Sequence, residues 1–511
     1  MKKDKKNGII NRKNRNIIKI KKHAELNRQY KYEQYKFVID KKVRHTRRKM
    51  NLFKQEDTIV ALATGNVKSA LAIIRISGNL SKQVVSSIFK TKNFKSIELK
   101  DKKVLHGYIC DNQKKLDEVI LFYMKSPNTY TGEDTVEIST HGNPLIVQQI
   151  IELLLSKNIR MADRGEFTYR AFINGKIDLS EAEAVNVLIN SNSSQATELA
   201  LSSLQGSLSN QIKQIKQDLT TLFAYLEVSL DYPEEDIDFL TREQKKENIQ
   251  KIISKIDSLI SSYSLSKLIV DGIKIVIVGK PNVGKSSILN SILGYKRAIV
   301  TDIAGTTTDT IEETVEYNGV AITIIDTAGI RYHTNNIIEQ FGQDRAKSSI
   351  GIADIILWII DSNIDLDDND KQIANLLKDK KDKTVVVLNK IDLEQKICKE
   401  KLNNIFITNT IINFSTINKT PIEKILNKIF EKLNIKDIKE TKIFLNTRQY
   451  NLICKAQQNL KKIYNLINKG DSDEIVSFET QNVLSSLNEI LGCDVKEDVL
   501  QTVFSKFCVG K

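Results

Sequence analysis

The sequence predicts a multidomain chain of mixed α/β and α architecture: an N-terminal α+β domain, then a helical domain interrupted by an inserted P-loop α/β domain. Three observations predict it. Strand-sized apolar runs alternate with turns from residue 57 to about 175. An apolar period of about 3.6 residues replaces them over 180–263 and returns over 446–511. Between those helical stretches, from 273 to about 434, strands and helices alternate, and the first strand runs directly into Gly-x-x-x-x-Gly-Lys-Ser at 279–286. A length of 511 residues suits about three cores. An apolar content of 41% supports packed domains.

The elements follow in order. Residues 1–50 hold 19 Lys/Arg against 4 Asp/Glu, so almost all of the net charge of +14 sits there; the rest carries 58 bases and 59 acids. Residues 1–54 are a basic arm without periodicity, too polar to offset its ordering entropy. Three readings stand for it: an RNA-binding arm, an organellar presequence, or an extension upstream of a true start at Met50. In the domain 55–175, strands are expected at 58–63, 70–77, 104–110, 118–125 and 135–140, with a helix at 144–155 after a His-Gly-Asn-Pro turn. Helices are expected at 181–190, 194–230 and 242–262. The helical domain takes the halves 176–266 and 437–511, and the inserted domain takes 267–436.

Composition excludes other classes. No apolar run approaches the ~20 residues of a membrane helix, so no membrane insertion is expected. Cys110, Cys398, Cys454, Cys493 and Cys508 form no Cys-x-x-Cys pair, which argues against a disulfide scaffold or structural zinc. A reducing, cytoplasmic setting is expected.

The chemistry concentrates after residue 273. The strand Ile273–Val278 leads into Gly279-Lys280-Pro281-Asn282-Val283-Gly284-Lys285-Ser286, and Ser287 continues into a helix. Glycines let successive N–H groups curl around a phosphate, and the helix N-terminus adds positive potential. Lys285 then reaches the β/γ oxygens, and the Ser286 hydroxyl suits Mg²⁺. The loop 301–309 carries Thr306-Thr307, placed to close over a γ-phosphate. Strands at 311–317 and 320–325 flank an Asn318-Gly319 turn and read as a hairpin. The hairpin ends at Asp326-Thr327-Ala328-Gly329, where Asp326 suits water-mediated Mg²⁺ and the Gly329 N–H a γ-phosphate. A strand at 384–388 enters Asn389-Lys390-Ile391-Asp392. An aspartate there accepts hydrogen bonds from N1 and the 2-amino group of guanine, a pattern adenine lacks. Ser415-Thr416, after a strand at 405–409 or 411–414, is a weaker candidate for packing on the base. Four motifs in this order describe a Ras-like P-loop GTPase domain. Ile330 follows the Asp-Thr-Ala-Gly motif where many small GTPases carry a water-orienting Gln, and 301–309 holds no arginine finger. Hydrolysis therefore needs another water-orienting group and another positive charge.

Beyond this core, the chain carries Tyr130-Thr131-Gly132-Glu133-Asp134, His141-Gly142, Gly165-Glu166-Phe167-Thr168, 170–176 as Arg-Ala-Phe-Ile-Asn-Gly-Lys, Ala182-Glu183-Ala184-Val185 and a terminal Phe507-Cys508-Val509-Gly510-Lys511. With the switch-type loop Thr301-Asp302-Ile303-Ala304-Gly305-Thr306-Thr307, these resemble the MnmE (TrmE) family of tRNA modification GTPases from about 57 to 511. The resemblance implies a folate-binding, dimerising N-terminal domain and a homodimer. It implies a heterotetramer with the FAD protein MnmG and action on the wobble uridine of tRNA. A carboxymethylaminomethyl-type group would be built at C5 from 5,10-methylene- or 5-formyl-tetrahydrofolate and an amine. Potassium would fill the missing positive charge, and GTP hydrolysis would come from paired G domains.

Carried onto this sequence, the resemblance implies K⁺ at Asn282, Thr301, Ile303 and Thr306, and Mg²⁺ at Ser286 and Thr307. Glu339 matches the catalytic glutamate, at a spacing one residue longer than the family's. Arg75, Glu137, Lys176 and Lys511 match the folate site, and Cys508 is a possible catalytic thiol. His141 reads as a structural hydrogen-bonding histidine or a general base. Two departures stand out: 65–70 keeps a single glycine, and Thr308 replaces the family's usual arginine. The competing reading is a ribosome-assembly or regulatory GTPase acting as a nucleotide-gated RNA-binding module. A membrane-remodelling GTPase is weaker, because no basic amphipathic anchor lies outside the arm.

Deletion of residues 1–49 should leave GTP hydrolysis intact, since the arm carries none of the matched motifs. Titrating tRNA against full-length and truncated protein at two salt concentrations tests the arm itself. A shallower salt dependence after truncation identifies phosphate contacts; an unchanged slope rules out an RNA-binding role.

Overall fold

The computed structural model describes residues 57–93, 95, 98–231, 240–294, 312–326, 348–397, 399–408, 410–435, 438 and 441–511. The described residues fall into two compact units. One holds those of Met1–Asn186, Ser203–Ile260 and Thr447–Lys511; the other holds those of Val187–Ser202 and Ser261–Asn446.

The first unit contains a mixed sheet of β1 (Ile59–Leu62), β2 (Ser69–Ser77), β3 (Phe89–Thr91), β4 (Val104–Asp111), β5 (Lys114–Met124), β6 (Thr135–Gly142) and β7 (Arg160–Met161). The order is β3-β4-β5-β6-β2-β1-β7, antiparallel except for the β1/β7 pair. Period-2 alternation sets the faces: in β5, Val119, Leu121 and Tyr123 are buried while Glu118 and Ile120 are exposed. The buried face packs on the helices Ser81–Ile88 and Pro144–Leu155 through Val84, Val85, Ile88, Ile150 and Leu154. Asn143 caps the second helix by accepting the Leu145 N–H at 3.0 Å, and Pro144 needs no partner in the first turn. The helices Ser81–Ile88 and Glu166–Ile173 lie outside the sequence expectation; each is only eight residues long, too short for a clear period.

The same unit is held by a buried charge cluster. Arg170, 3% exposed, donates to Asp57 at 2.7 Å, Glu133 at 3.1 Å and the fully buried Glu166 at 2.9 Å. Arg160 joins Asp57 at 2.8 Å and Glu166 at 2.7 Å. The cluster thereby ties the chain before β1, the turn before β6 and the helix Glu166–Ile173 together. Burial pushes the Asp57 carboxyl up, but its bonds to Arg160 and Arg170 outweigh that and leave it below the ordinary carboxylate range.

The helical part comprises Leu179–Asn190, Ser207–Asp231, Arg242–Asp271, Thr447–Lys469, Asp473–Leu491 and Glu497–Phe504. The first of these, like Arg242–Asp271, straddles the two units. The single helix expected over 194–230 is two, Ser194–Leu204 and Ser207–Asp231. Gly206 breaks it with φ +86°, a conformation that costs a residue with a Cβ about 1 kcal/mol or more. The helix expected over 242–262 runs on to Asp271. Arg448 forks onto Glu183 with two bonds of 2.8 Å, and Gln449 donates to the same carboxylate at 2.7 Å. Arg448 also donates to the carbonyls of Glu489 and Ile490, which end the helix Asp473–Leu491.

The second unit is built on β8 (Ile273–Val278), β9 (Glu312–Tyr317), β10 (Val320–Asp326), β11 (Ile355–Asp361), β12 (Thr384–Asn389) and β13 (Ile411–Asn413). They lie in the order β13-β12-β11-β8-β10-β9, parallel except for the β9/β10 hairpin. Every residue of β11 and β12 is buried, as a parallel sheet covered on both faces requires. Each buried Ile or Val contributes about 1.5–3 kcal/mol. Asn318 and Gly319 both have positive φ, 48° and 83°, which fits the twist of a two-residue hairpin. The strand left open between 405–409 and 411–414 forms at Ile411–Asn413.

Arg170→Met should lower the unfolding free energy of the first unit by about 3–5 kcal/mol, because it strips the part-buried Glu133 of its counter-charge and leaves the fully buried Glu166 with Arg160 alone. Urea unfolding followed by circular dichroism checks this, and an unchanged first transition would show that the cluster is not a tie.

Candidate functional site

β8 ends at Val278, and the loop 279–284 joins it to the helix Lys285–Leu293. Positive φ at Gly279, Asn282 and Gly284 (151°, 63° and 98°) curls the loop. Gly284 is the helix N-cap and brings no side chain, so no capping oxygen takes the first-turn N–H groups. Asn282, Ser286 and Ser287 are exposed, while Val283 is buried beneath the loop. Lys285 Nζ donates to the carbonyls of Gly279 at 2.9 Å and Lys280 at 2.7 Å.

The base side lies at the end of β12. Asn389, 1% exposed, donates from Nδ2 to the Val283 carbonyl at 2.9 Å, joining it to the phosphate loop. A Cβ on Gly284 would sit 2.2 Å from that Nδ2, so no other residue leaves the bond intact. Asn389 Oδ1 is buried and has no partner among the described residues. Asp392 accepts the hydroxyl of the fully buried Ser415, which in turn accepts the Asn418 N–H at 3.1 Å. Ser415 therefore aims the carboxylate of Asp392. Lys390 Nζ sits 2.6 Å from Asp361 at the end of β11; Asp361 was not legible as a site residue because only the sheet brings it there.

Two further residues escaped sequence reasoning for the same reason. Lys280 inserts its ammonium between Asp367 at 2.9 Å and Asp370 at 2.7 Å. Burial lowers its pKa, but both carboxylates outweigh that and hold it above the ordinary lysine value. Asp367 and Asp370 also form the capping box of the helix Asp368–Leu377.

The sites expected at Thr301, Asp302, Ile303, Ala304, Gly305, Thr306, Thr307, Thr327, Ala328, Gly329 and Glu339 lie outside the described residues. Asp326 ends β10, which places its backbone beside β8.

A second cluster lies in the other unit. Arg75 and Glu137 are cross-strand partners in β2 and β6, with Nε and Oε1 2.8 Å apart. The Arg75 guanidinium lies near the rings of Tyr130 and Phe167, at 5.9 and 5.7 Å from their centroids, and donates to the Gly510 carbonyl at 3.3 Å. The C-terminal tail thus reaches the sheet. Burial lowers the pKa of Lys511, and Arg75 adds to this against the pull of Glu137. Lys176 donates to the Pro127 carbonyl at 3.0 Å, on the turn that carries Tyr130. Tyr130 and Phe167 belong to family-type motifs but showed no site signal of their own in the sequence. Cys508 is exposed, and its carbonyl accepts the Gly165 N–H at 3.4 Å. His141 Nδ1 lies 2.7 Å from the buried Asp117, whose carboxylate also accepts the His141 N–H and the Thr140 hydroxyl. That is the structural role open to it from sequence.

A parallel sheet that carries a phosphate loop after one strand and Asn-Lys-x-Asp after another defines a P-loop domain of the guanine-nucleotide type. Residues 58–176 match the family model described as the GTP-binding protein TrmE N-terminus, and residues 179–508 match the MnmE helical domain. Three similar relatives are each named tRNA modification GTPase MnmE. That of Endomicrobium trichonymphae is 44% identical over 90% of this chain and 100% of its own. That of Clostridioides difficile (strain 630) is 42% identical over 89% and 99%, and that of Aquifex aeolicus (strain VF5) 39% over 89% and 100%. The chain belongs to the MnmE family of tRNA modification GTPases.

Gly284→Ala should weaken GTP binding at least about tenfold, since strain of 1–3 kcal/mol at positive φ adds to the clash with Asn389. Titration with a fluorescent GTP analogue checks it; native affinity with alanine would show that the Asn389–Val283 bond does not set the loop.

Proposed function

We propose that this GTPase drives the C5 modification of wobble uridine in tRNA, coupling GTP hydrolysis to a tetrahydrofolate one-carbon unit together with the FAD protein MnmG. The Arg75–Glu137 pair carries the reading. A regulatory or ribosome-assembly GTPase has no need of a second polar cluster beside its own C-terminal tail, whereas a one-carbon donor needs such a site. The Arg75 guanidinium suits a carboxylate or a polarised carbonyl, and Glu137 suits the N–H groups of a pterin. Lys511 and Lys176 complete the proposed site, and the exposed Cys508 is a candidate thiol.

In the other unit, residues 282–287, at the loop end and helix start, take the triphosphate, and Lys285 the β/γ oxygens. Asp392, aimed by Ser415, selects guanine. The exposed Ser286 hydroxyl is a hard oxygen donor suited to Mg²⁺, with Thr307 as its proposed partner. Asn282 is exposed at the loop surface, where its amide oxygen suits K⁺; Thr301, Ile303 and Thr306 are its proposed companions. When bound, the cations supply positive charge to the developing phosphate charge. Glu339 is the proposed water-orienting group. A homodimer, working in the cytoplasm, completes the reading; among the described residues no helix is long and apolar enough to cross a membrane.

Asp392→Asn should shift nucleotide preference from GTP to xanthosine triphosphate by at least about tenfold, the value of one mispaired hydrogen-bond donor. In cells whose sole copy carries this change, mass spectrometry of tRNA should show wobble uridine without its C5 group. Intact modification there, or tight ATP binding by the wild type, would overturn the reading.

A further inference from the structure

We propose that Lys280 is a positioning residue for GTP binding: its ionic tether to Asp367 and Asp370 holds the start of the phosphate loop where its carbonyls aim Lys285. The inference rests on the GTP-binding reading above. Lys280 follows Gly279 in the loop, and its two ends do different work. Its carbonyl accepts from the Lys285 ammonium at 2.7 Å, beside the Gly279 carbonyl at 2.9 Å. Its own ammonium, 14% exposed, bonds Asp367 at 2.9 Å and the 2%-exposed Asp370 at 2.7 Å.

These carboxylates are themselves immobilised. Asp367 accepts the N–H groups of Asn369 at 3.0 Å and Asp370 at 3.1 Å, and Asp370 accepts the Asp367 N–H at 3.1 Å. The tether therefore ends on a rigid helix start. An ammonium held by two loop carbonyls points where the loop puts it, and Lys285 is the group that must meet the β/γ oxygens. The other end of the loop is held by Asn389 through Val283. Lys280 also offsets one of the two negative charges carried by Asp367 and Asp370.

Three variants of the full-length chain test this: Lys280→Arg, Lys280→Met and the double Lys280→Met/Asp370→Asn. The probes are a fluorescent GTP analogue, steady-state hydrolysis and thermal unfolding. Lys280→Met should raise the Kd and KM for GTP about tenfold through faster dissociation, with kcat changed less than about threefold, while Lys280→Arg stays within about threefold of wild type. The single methionine variant leaves Asp370 buried without its cation, so it also loses thermal stability. The double variant removes that charge and should regain stability without regaining affinity. Affinity that returns together with stability, or a methionine variant that binds like wild type, overturns the inference. Failure of the wild type to bind the probe would instead overturn the GTP-binding reading.

Discussion

The candidate nucleotide site depends on one hydrogen bond, from the Asn389 amide to the Val283 carbonyl. It joins the end of β12 to the loop after β8, strands with β11 between them, and so holds the Asn389–Asp392 motif and the 279–286 loop in one frame. The bond is buried and closely approached by Gly284, which leaves the loop little freedom. Its geometry is cheap to hold because every residue of β11 and β12 is buried, as is every residue of β8 except Lys274.

The other unit is organised around charge. Arg170 and Arg160 gather Asp57, Glu133 and Glu166 around a centre, Arg170 with Glu166, that is closed to water, where losing one partner costs more than the pair contributes net. Glu183 does comparable work among the helices by taking Arg448 and Gln449. Several motifs that look functional in the sequence are thus ties between distant segments. Arg75 and Glu137 differ: their pair lies on the half-buried face of the sheet, beside the Tyr130 and Phe167 rings and the chain's own tail.

The tail shows how the ends of the described chain meet. Phe504 and Phe507 pack on one another and, through Phe504, on Tyr169 and Phe172, next to the arginine cluster. That packing carries Gly510 to Arg75, so a stretch of small and polar residues becomes part of a candidate site by virtue of the aromatic residues before it.

Much of this was legible from residue order alone. Apolar runs mark the parallel strands, the 279–286 loop and Asn389-Lys390-Ile391-Asp392 mark the two ends of the candidate nucleotide site, and Asn318-Gly319 marks the hairpin. These are local signals, written within a few residues by backbone conformation and periodicity. The helix break at Gly206 was not legible, because an isolated glycine in a helical pattern is usually tolerated. Nor were the partners: Lys280 with Asp367 and Asp370, Lys390 with Asp361, Ser415 with Asp392, and Arg75 with the Gly510 carbonyl. Sequence determined which elements form and which chemistry the loops carry. Tertiary structure alone decided which charge meets which, because an ion pair depends on separation in space and those partners lie tens to hundreds of residues apart along the chain.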